Sequence, residues 1–206
     1  AHIEHRLRKM GVIDALDARR GVLLASNFEF PGRYTRWDLG FVDPPLVLTA
    51  KGRGFTIEAL NDRGTVVLDT VLASLDATPA IASITRAGDR LVGTVREPER
   101  LLAEEERSKQ HSTFSVIRAL RAVFAAPDDA YLGMYGSFGY DLALQFQRVE
   151  LRLPRPDDHR DVVLYVPDSL VVVDHQHGHA VRHDYEFSVG DASTVGLPAS
   201  PRPIRS

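Results

Sequence analysis

The chain has no cysteine among its 206 residues, which excludes a disulfide framework, thiolate zinc sites and a cysteine nucleophile together. It also lacks a strong charge of either sign. The formal net charge is −3, so no basic field is available to hold nucleic acid or an anionic membrane surface. No apolar run reaches the ~18 residues that suggest a membrane-spanning helix. Residues 1–10 are polar and charged and lack an apolar core segment, so they do not read as a signal peptide. The expected compartment is the cytoplasm. What is present is ordinary for a folded protein: 44% hydrophobic and 26% charged residues, in a length that suits one large or two small domains.

Turn chemistry and periodicity divide the chain into hairpins and helices. Residues 13–20 form a short charged segment of helical character, and residues 22–30 an apolar stretch that ends at the turn pair Pro31-Gly32. Residues 46–49 and 55–60 flank Gly52-Arg53-Gly54 and predict a β-hairpin. Residues 61–64 turn the chain into a helix over 65–75, with Val67, Val71, Leu72 and Leu75 on one face. A second hairpin joins 80–85 to 90–95 across Ala87-Gly88-Asp89. Residues 97–109 read as a charged, solvated helix or connection rather than an acidic binding site. Ser112 or Thr113 then caps a helix to about Phe124, with Phe114, Ile117, Leu120 and Val123 or Phe124 toward the core. Residues 131–138 read as an apolar, glycine-punctuated strand. Residues 162–166 and 170–174 read as core strands, and 180–187 pairs back after a turn near Gly178. Residues 190–206 are rich in Pro, Ser, Gly and Arg without periodicity, and read as a disordered tail or a link to a further domain. The pattern predicts one domain over 1–189 of the α+β class, with mainly antiparallel hairpins in packed sheets covered by helices.

No catalytic constellation stands out. Gly133-Met134-Tyr135-Gly136-Ser137-Phe138-Gly139 lacks the Lys-Ser/Thr ending of a phosphate loop and the spacing of a dinucleotide fingerprint. Glycine alternating with aromatics marks close approach of another backbone instead. His175, His177 and His179 alternate as ligands on a strand would, but Gly178 falls where the hairpin turns. They read as exposed histidines at a hairpin tip rather than a metal site. Asp128-Asp129 and Asp157-Asp158 lie beside prolines and read as turns, and Glu104-Glu105-Glu106 as a helix surface. Catalytic and metal residues are therefore assigned to none of these positions.

The segment Gly21-Val22-Leu23-Leu24-Ala25-Ser26-Asn27-Phe28-Glu29-Phe30-Pro31-Gly32-Arg33-Tyr34-Thr35-Arg36-Trp37-Asp38 resembles component I of anthranilate synthase, in the bacterial form fused to its glutamine amidotransferase. Asp43-Pro44-Pro45-Leu46 continues the resemblance. Residues 131–142 are similar to the family's Gly-x-Phe-x-Tyr-Asp-Leu strand, and Leu153-Pro154 and 162–174 keep the family order. The likeness runs from Gly21 to about Leu197. It implies an α+β fold of two packed, roughly orthogonal sheets with helices outside, forming the N-terminal part of the chorismate-binding synthase. The whole enzyme of that family converts chorismate and glutamine to anthranilate, glutamate and pyruvate with Mg²⁺, and its metal and chorismate residues lie in its C-terminal part. The resemblance thus implies no cofactor and no catalytic residue for this chain, which on that basis is inactive alone.

One functional motif carries over. A Leu-Leu-Glu-Ser strand of the family contributes to its feedback site for tryptophan, and Leu23-Leu24-Ala25-Ser26 stands in its place. The implied tryptophan-binding residues are Leu24, Ala25, Ser26 and Asn27. Ala25 departs from the family's Glu, and Asn27 offers a neutral acceptor in its stead. A zwitterionic ligand wants backbone and hydroxyl hydrogen bonds plus an apolar slot for its indole. The implied partners are tryptophan, the C-terminal chorismate-binding domain and the amidotransferase domain, with a homo-oligomer as a further possibility. Arg33, Arg36 and Trp37 form a cluster that either faces such a partner or makes a surface cation–π contact. Two other classes stay open: another chorismate aminase, of the phenazine or aminodeoxychorismate type, and a free-standing amino-acid-binding module.

Overall fold

The computed structural model describes residues 7–8, 10–25, 36–98, 110–146, 149 and 151–199. In chain order the first elements are helix α1 (Val12–Leu16) and strands β1 (Gly21–Leu24), β2 (Trp37–Val42), β3 (Leu46–Lys51) and β4 (Gly54–Ala59). Helix α2 (Asp62–Asp76), strands β5 (Ile81–Ala87) and β6 (Arg90–Val95), helix α3 (Thr113–Val123) and strand β7 (Tyr135–Phe138) follow. A 3₁₀ helix (Tyr140–Gln145) leads to β8 (Val162–Val166), β9 (Ser169–Asp174), β10 (His179–Asp184), β11 (Ser188–Val189) and β12 (Ala192–Ser193).

The strands make a six-stranded sheet in the order β5-β6-β4-β3-β8-β7, a four-stranded sheet β1-β2-β9-β10 and the small pair β11-β12. Every pairing is antiparallel. The α+β class with antiparallel sheets is as the sequence pattern predicts.

Side-chain alternation sets the layers. Leu46, Leu48, Ile57, Leu91, Val162 and Leu164 of the larger sheet bury one face against Val67, Leu68, Val71 and Leu75 of α2 and Val116 and Leu120 of α3. Its other face meets the smaller sheet through an inter-sheet cluster of Phe41, Leu170 and Val172, with Tyr135 and Tyr165 packed on it. The far face of the smaller sheet carries Val171 and Val173 under Val12 of α1.

The chain crosses between the two sheets at two corners. One is Asp43-Pro44-Pro45 between β2 and β3, and Asp43 takes a left-handed φ of 51° there. The other is Pro167-Asp168 between β8 and β9. The first turn of α2 grips both. The Leu60 N–H donates to the Pro45 carbonyl at 2.8 Å, and the buried guanidinium of Arg63 pairs with buried Asp168 at 2.5 Å. Gly64 sits so close that a Cβ there would lie 2.1 Å from the Pro45 carbonyl oxygen.

Several elements differ from expectation. Residues 61–64 are the helix start itself: the Asn61 side chain accepts from the Gly64 N–H at 2.9 Å as an N-cap. Ser112 caps α3 in a reciprocal box with Ser115; Leu120 and Phe124 are buried and Phe114, Ile117 and Val123 pack half-buried on the core as expected, and Val116 joins them as a buried residue. The strand expected over 131–138 is shortened to Tyr135–Phe138, because Asp129 accepts from the N–H groups of Tyr131 and Leu132 at 2.7 and 2.9 Å and holds a turn there. Beyond Gly190 the chain still pairs: β12 folds onto β11, and fully buried Thr194 receives the Phe187 N–H at 2.9 Å. Arg63 supplies the reason, donating to the carbonyls of Thr194 and Leu197 at 3.1 and 3.2 Å. Most of the stretch 97–109 lies outside the described residues.

Candidate functional site

β1 lies at one end of the smaller sheet, with pairs from Gly21↔Val42 to Leu24↔Leu39. The Asp43 N–H donates to the Arg20 carbonyl at 2.8 Å. Hydrogen-bonded pairs alternate along an antiparallel ladder, so the amides of Val22 and Leu24 point toward β2 and those of Leu23 and Ala25 point away from it. Val22 packs on the inter-sheet cluster, and the two-residue period places Leu24 on the same face. Leu24 is 44% exposed. Trp37, Leu39 and Phe41 share that face of β2.

Burial changes steadily along these strands. Phe41 and Leu170, next to the corners, are closed off, while Trp37 at the far end of β2 and Val181 midway along the edge strand β10 are each 43% exposed. The sheets therefore form a wedge, shut at the Pro45 and Asp168 corners and open at a mouth edged by Leu24, Trp37 and Val181. An aromatic row lines one side. The Trp37 and Tyr131 rings meet edge-to-face at 6.0 Å, Tyr131 lies 4.8 Å from His183, and His183 stacks on Tyr185 at 6.4 Å. The Arg36 guanidinium covers the outer face of Trp37 at 4.5 Å, a cation–π contact.

Polar groups in the wedge are fixed. The Tyr135 hydroxyl donates to the Tyr131 carbonyl, and the Tyr185 hydroxyl to Asp129 Oδ1 at 3.2 Å. Burial, reinforced by Asp129, pushes the Tyr135 phenol up to about 12 and raises Tyr185 as well. Burial acts to raise Asp129, but the Tyr131 and Leu132 N–H groups outweigh it and hold the carboxylate low. Both phenols stay protonated and Asp129 stays charged near neutrality.

At the mouth, Asp174 accepts from the Gln176 and His177 N–H groups at 2.9 and 3.1 Å, and its Oδ2 meets His177 Nδ1 at 2.8 Å and Arg36 at 3.6 Å. Desolvation opposes its charge, but these bonds from His177 and Gln176 bring the carboxylate down to about 2. On the other face of the strand, His175 Nε2 lies 2.9 Å from buried Asp38. The expectation of exposed tip histidines therefore holds for His177 and His179 and fails for His175. The wedge offers an apolar slot with fixed donors and outward backbone amides at its edge. It holds no nucleophile–base pair among the described residues.

No protein-family model matches the chain. It is 51% identical over 191 residues to the anthranilate synthase of Azospirillum brasilense, an alignment covering 93% of this chain and 26% of that protein. It is 27% identical over 191 residues to anthranilate synthase component 1 of Vibrio cholerae, covering 91% of this chain and 36% of the relative. With the component 1 protein of Escherichia coli the figures are 29% over 161 residues, 77% and 30%. The chain is thus similar to anthranilate synthases and their component 1 proteins over most of its own length. It spans between 26% and 36% of the length of these relatives.

Of the residues that the anthranilate synthase resemblance implied for tryptophan, Leu24 ends β1 at the mouth and Ala25 follows it, exposed. Ser26, Asn27 and Arg33 lie outside the described residues. Sequence reasoning missed the aromatic row. Its only trace was the alternation His179, Val181, His183, Tyr185, which puts four ring or branched side chains on one face of a strand.

Magnesium, which the synthase family implies, finds no fit among the described residues. Asp141, His159 and Asp161 gather ligand atoms within 4.8 Å of one another. The Arg155 guanidinium already occupies that space, 3.1 Å from Asp141 and paired with fully buried Asp161, whose Oδ2 also accepts the Gly52 N–H at 2.6 Å. A second cation would meet that charge head-on. The group is an ion-pair cluster that pins the 3₁₀ helix to the larger sheet.

Proposed function

We propose that this chain carries the tryptophan feedback site of an anthranilate synthase component 1, within a larger protein that turns chorismate and glutamine into anthranilate, glutamate and pyruvate. The observation that carries the reading is the open apolar mouth at the end of β1, in a chain 51% identical over 191 residues to an anthranilate synthase. The indole of tryptophan enters between Leu24, Trp37 and Val181. Its carboxylate meets the outward N–H groups of Leu23 and Ala25, and its ammonium meets oxygen acceptors at Ser26 and Asn27. With Ala25 in place of an acid, the ammonium is held by neutral acceptors. The chemistry of chorismate is left to residues that this chain does not supply.

The test is made in the intact parent enzyme. Removing one hydrogen bond to a charged ligand group costs ~1.5–3 kcal/mol, roughly a ten- to hundredfold loss of affinity. A ring at position 26 also adds bulk where the resemblance puts the ligand. Ser26→Phe should keep turnover and resist inhibition by tryptophan. Superimposable inhibition curves for wild type and variant would remove Ser26 from the site.

A further inference from the structure

We propose that His177 and His179, at the tip of the β9–β10 hairpin, form a two-histidine site for a borderline-soft divalent metal ion such as zinc, with Asp174 behind His177 as its orienting carboxylate. The proposal goes beyond the tryptophan site and does not rest on it. As a flat strand pattern, His175, His177 and His179 cannot share a face, because the chain turns at Gly178. The turn itself, with Gly178 at a φ of 68°, brings two of the three rings together. The His177 and His179 ring centroids are 6.0 Å apart, with 34° between their planes. An ion about 2.0–2.1 Å from one nitrogen of each ring holds two imidazole centroids roughly 5–6 Å apart. Both side chains are exposed, so a small rotation closes the site.

The carboxylate fixes which nitrogen faces outward. Asp174 Oδ1 accepts the Gln176 and His177 N–H groups at 2.9 and 3.1 Å, and Oδ2 lies 2.8 Å from His177 Nδ1. A neutral imidazole that faces a carboxylate through Nδ1 donates its proton there and keeps its lone pair on Nε2. Nε2 points away from Asp174, on a side chain that is 56% exposed against 3% for the carboxylate. A histidine backed by a carboxylate in this way is the usual arrangement at bound metal ions. His179 stands directly across the ladder from Asp174, and cross-strand partners share a face, which places the second ligand beside the first.

The surroundings permit a cation. Arg36 reaches Asp174 Oδ2 at 3.6 Å and covers the Trp37 ring, so its charge is directed at the carboxylate and an aromatic face. Arg155, by contrast, stands among the ligand atoms of the Asp141, His159 and Asp161 cluster. His175 is not a ligand, since its Nε2 meets buried Asp38 at 2.9 Å on the other face of the strand. Imidazole nitrogens suit zinc, nickel and copper, whereas magnesium takes oxygen ligands and water. The chain has no cysteine, so no thiolate competes. Water completes the coordination shell at an exposed tip. Because Asp174 also pairs with Trp37 in the ladder, an ion here staples the hairpin turn beside the mouth of the wedge.

Calorimetric titration of the chelator-stripped chain with zinc chloride tests the proposal. A single ion should bind per chain, and excess magnesium chloride should not displace it. His177→Gln and His179→Gln should each abolish the binding heat, and His175→Gln should leave it as in the wild type. Asp174→Asn should weaken zinc binding roughly ten- to hundredfold. The electron paramagnetic resonance spectrum of the chain loaded with copper(II) should show two imidazole nitrogens on the ion. Binding that survives either His177→Gln or His179→Gln overturns the proposal, as does unchanged affinity in Asp174→Asn, displacement by magnesium or a single ligating nitrogen. None of these measurements involves tryptophan, so the feedback reading stands or falls separately.

Discussion

Arg63→Met is the perturbation whose cost the structure defines best. The guanidinium is buried and pairs with buried Asp168 at 2.5 Å. It also reaches Glu186 at 3.0 Å and donates to the carbonyls of Tyr185, Thr194 and Leu197 at 2.8, 3.1 and 3.2 Å. Methionine keeps much of the volume and none of the donors. Asp168 is then left as an uncompensated buried acid, a situation that costs about 3–5 kcal/mol, out of a total stability on the order of 5–15 kcal/mol. Urea unfolding should show the midpoint falling with the m-value unchanged, and heating a drop in melting temperature on the order of 10 °C. Burial pushes the Asp168 carboxyl up despite the opposing pull of Arg63, so the charged pair is costly to maintain. Arg63→Met with Asp168→Leu should therefore recover much of the loss. A single variant costing under about 1 kcal/mol, or a double variant worse than the single, would refute the reasoning.

Gly64→Ala should destabilise the protein by about 1–3 kcal/mol or more, since its Cβ would lie 2.1 Å from the Pro45 carbonyl oxygen and backbone must shift; an unchanged unfolding curve would contradict the close approach. Asp174 titrates at about 2 in the folded protein, so its contribution is present above the usual carboxylate value and is lost as pH falls from about 4 to about 2. Asp174→Asn should flatten the stability profile in that window, and an identical acid slope in the variant would assign the effect elsewhere. The chain alone should produce no anthranilate from chorismate with glutamine or ammonium salts, and anthranilate fluorescence from a contaminant-free preparation would refute that.

The fold was legible where local signals agree. Gly52-Arg53 and Gly88-Asp89 between alternating apolar runs give both hairpins of the larger sheet, because turn chemistry fixes their register. Residues 162–174 were legible as two strands but not as members of different sheets. Pro167-Asp168 only says that the chain turns, and the partner strands β3 and β2 lie more than a hundred residues earlier. Asn61-Asp62-Arg63-Gly64 reads as a turn by composition, and its role as the clasp of both corners rests on contacts with Pro45 and Asp168 that no local pattern contains. The order beyond Gly190 was hidden for the same reason. A Pro- and Gly-rich tail gains structure from one arginine far upstream. The resemblance alone pointed to Leu24 and Ala25, whereas the row Trp37, Tyr131, His183 and Tyr185 could not be read from the sequence, since three separate segments supply it.

The wedge has a simple framework. β2 runs from Trp37 at the mouth to the Asp43 corner, and β9 runs back from the Asp168 corner to Asp174 at the mouth. The two corners are thus a hinge line, and α2 clasps both of them. A ligand between Leu24, Trp37 and Val181 bears on the open end of that wedge, where a small change in sheet separation costs least. The aromatic row carries the same load toward the clasp, because Tyr185 stacks on His183 and gives its carbonyl to Arg63. β7 and β8 belong to the larger sheet, on the far side of the hinge. The Arg63 pair at the Asp168 corner and the Leu60 amide at the Pro45 corner are what tie the two sheets together at the closed end of the wedge.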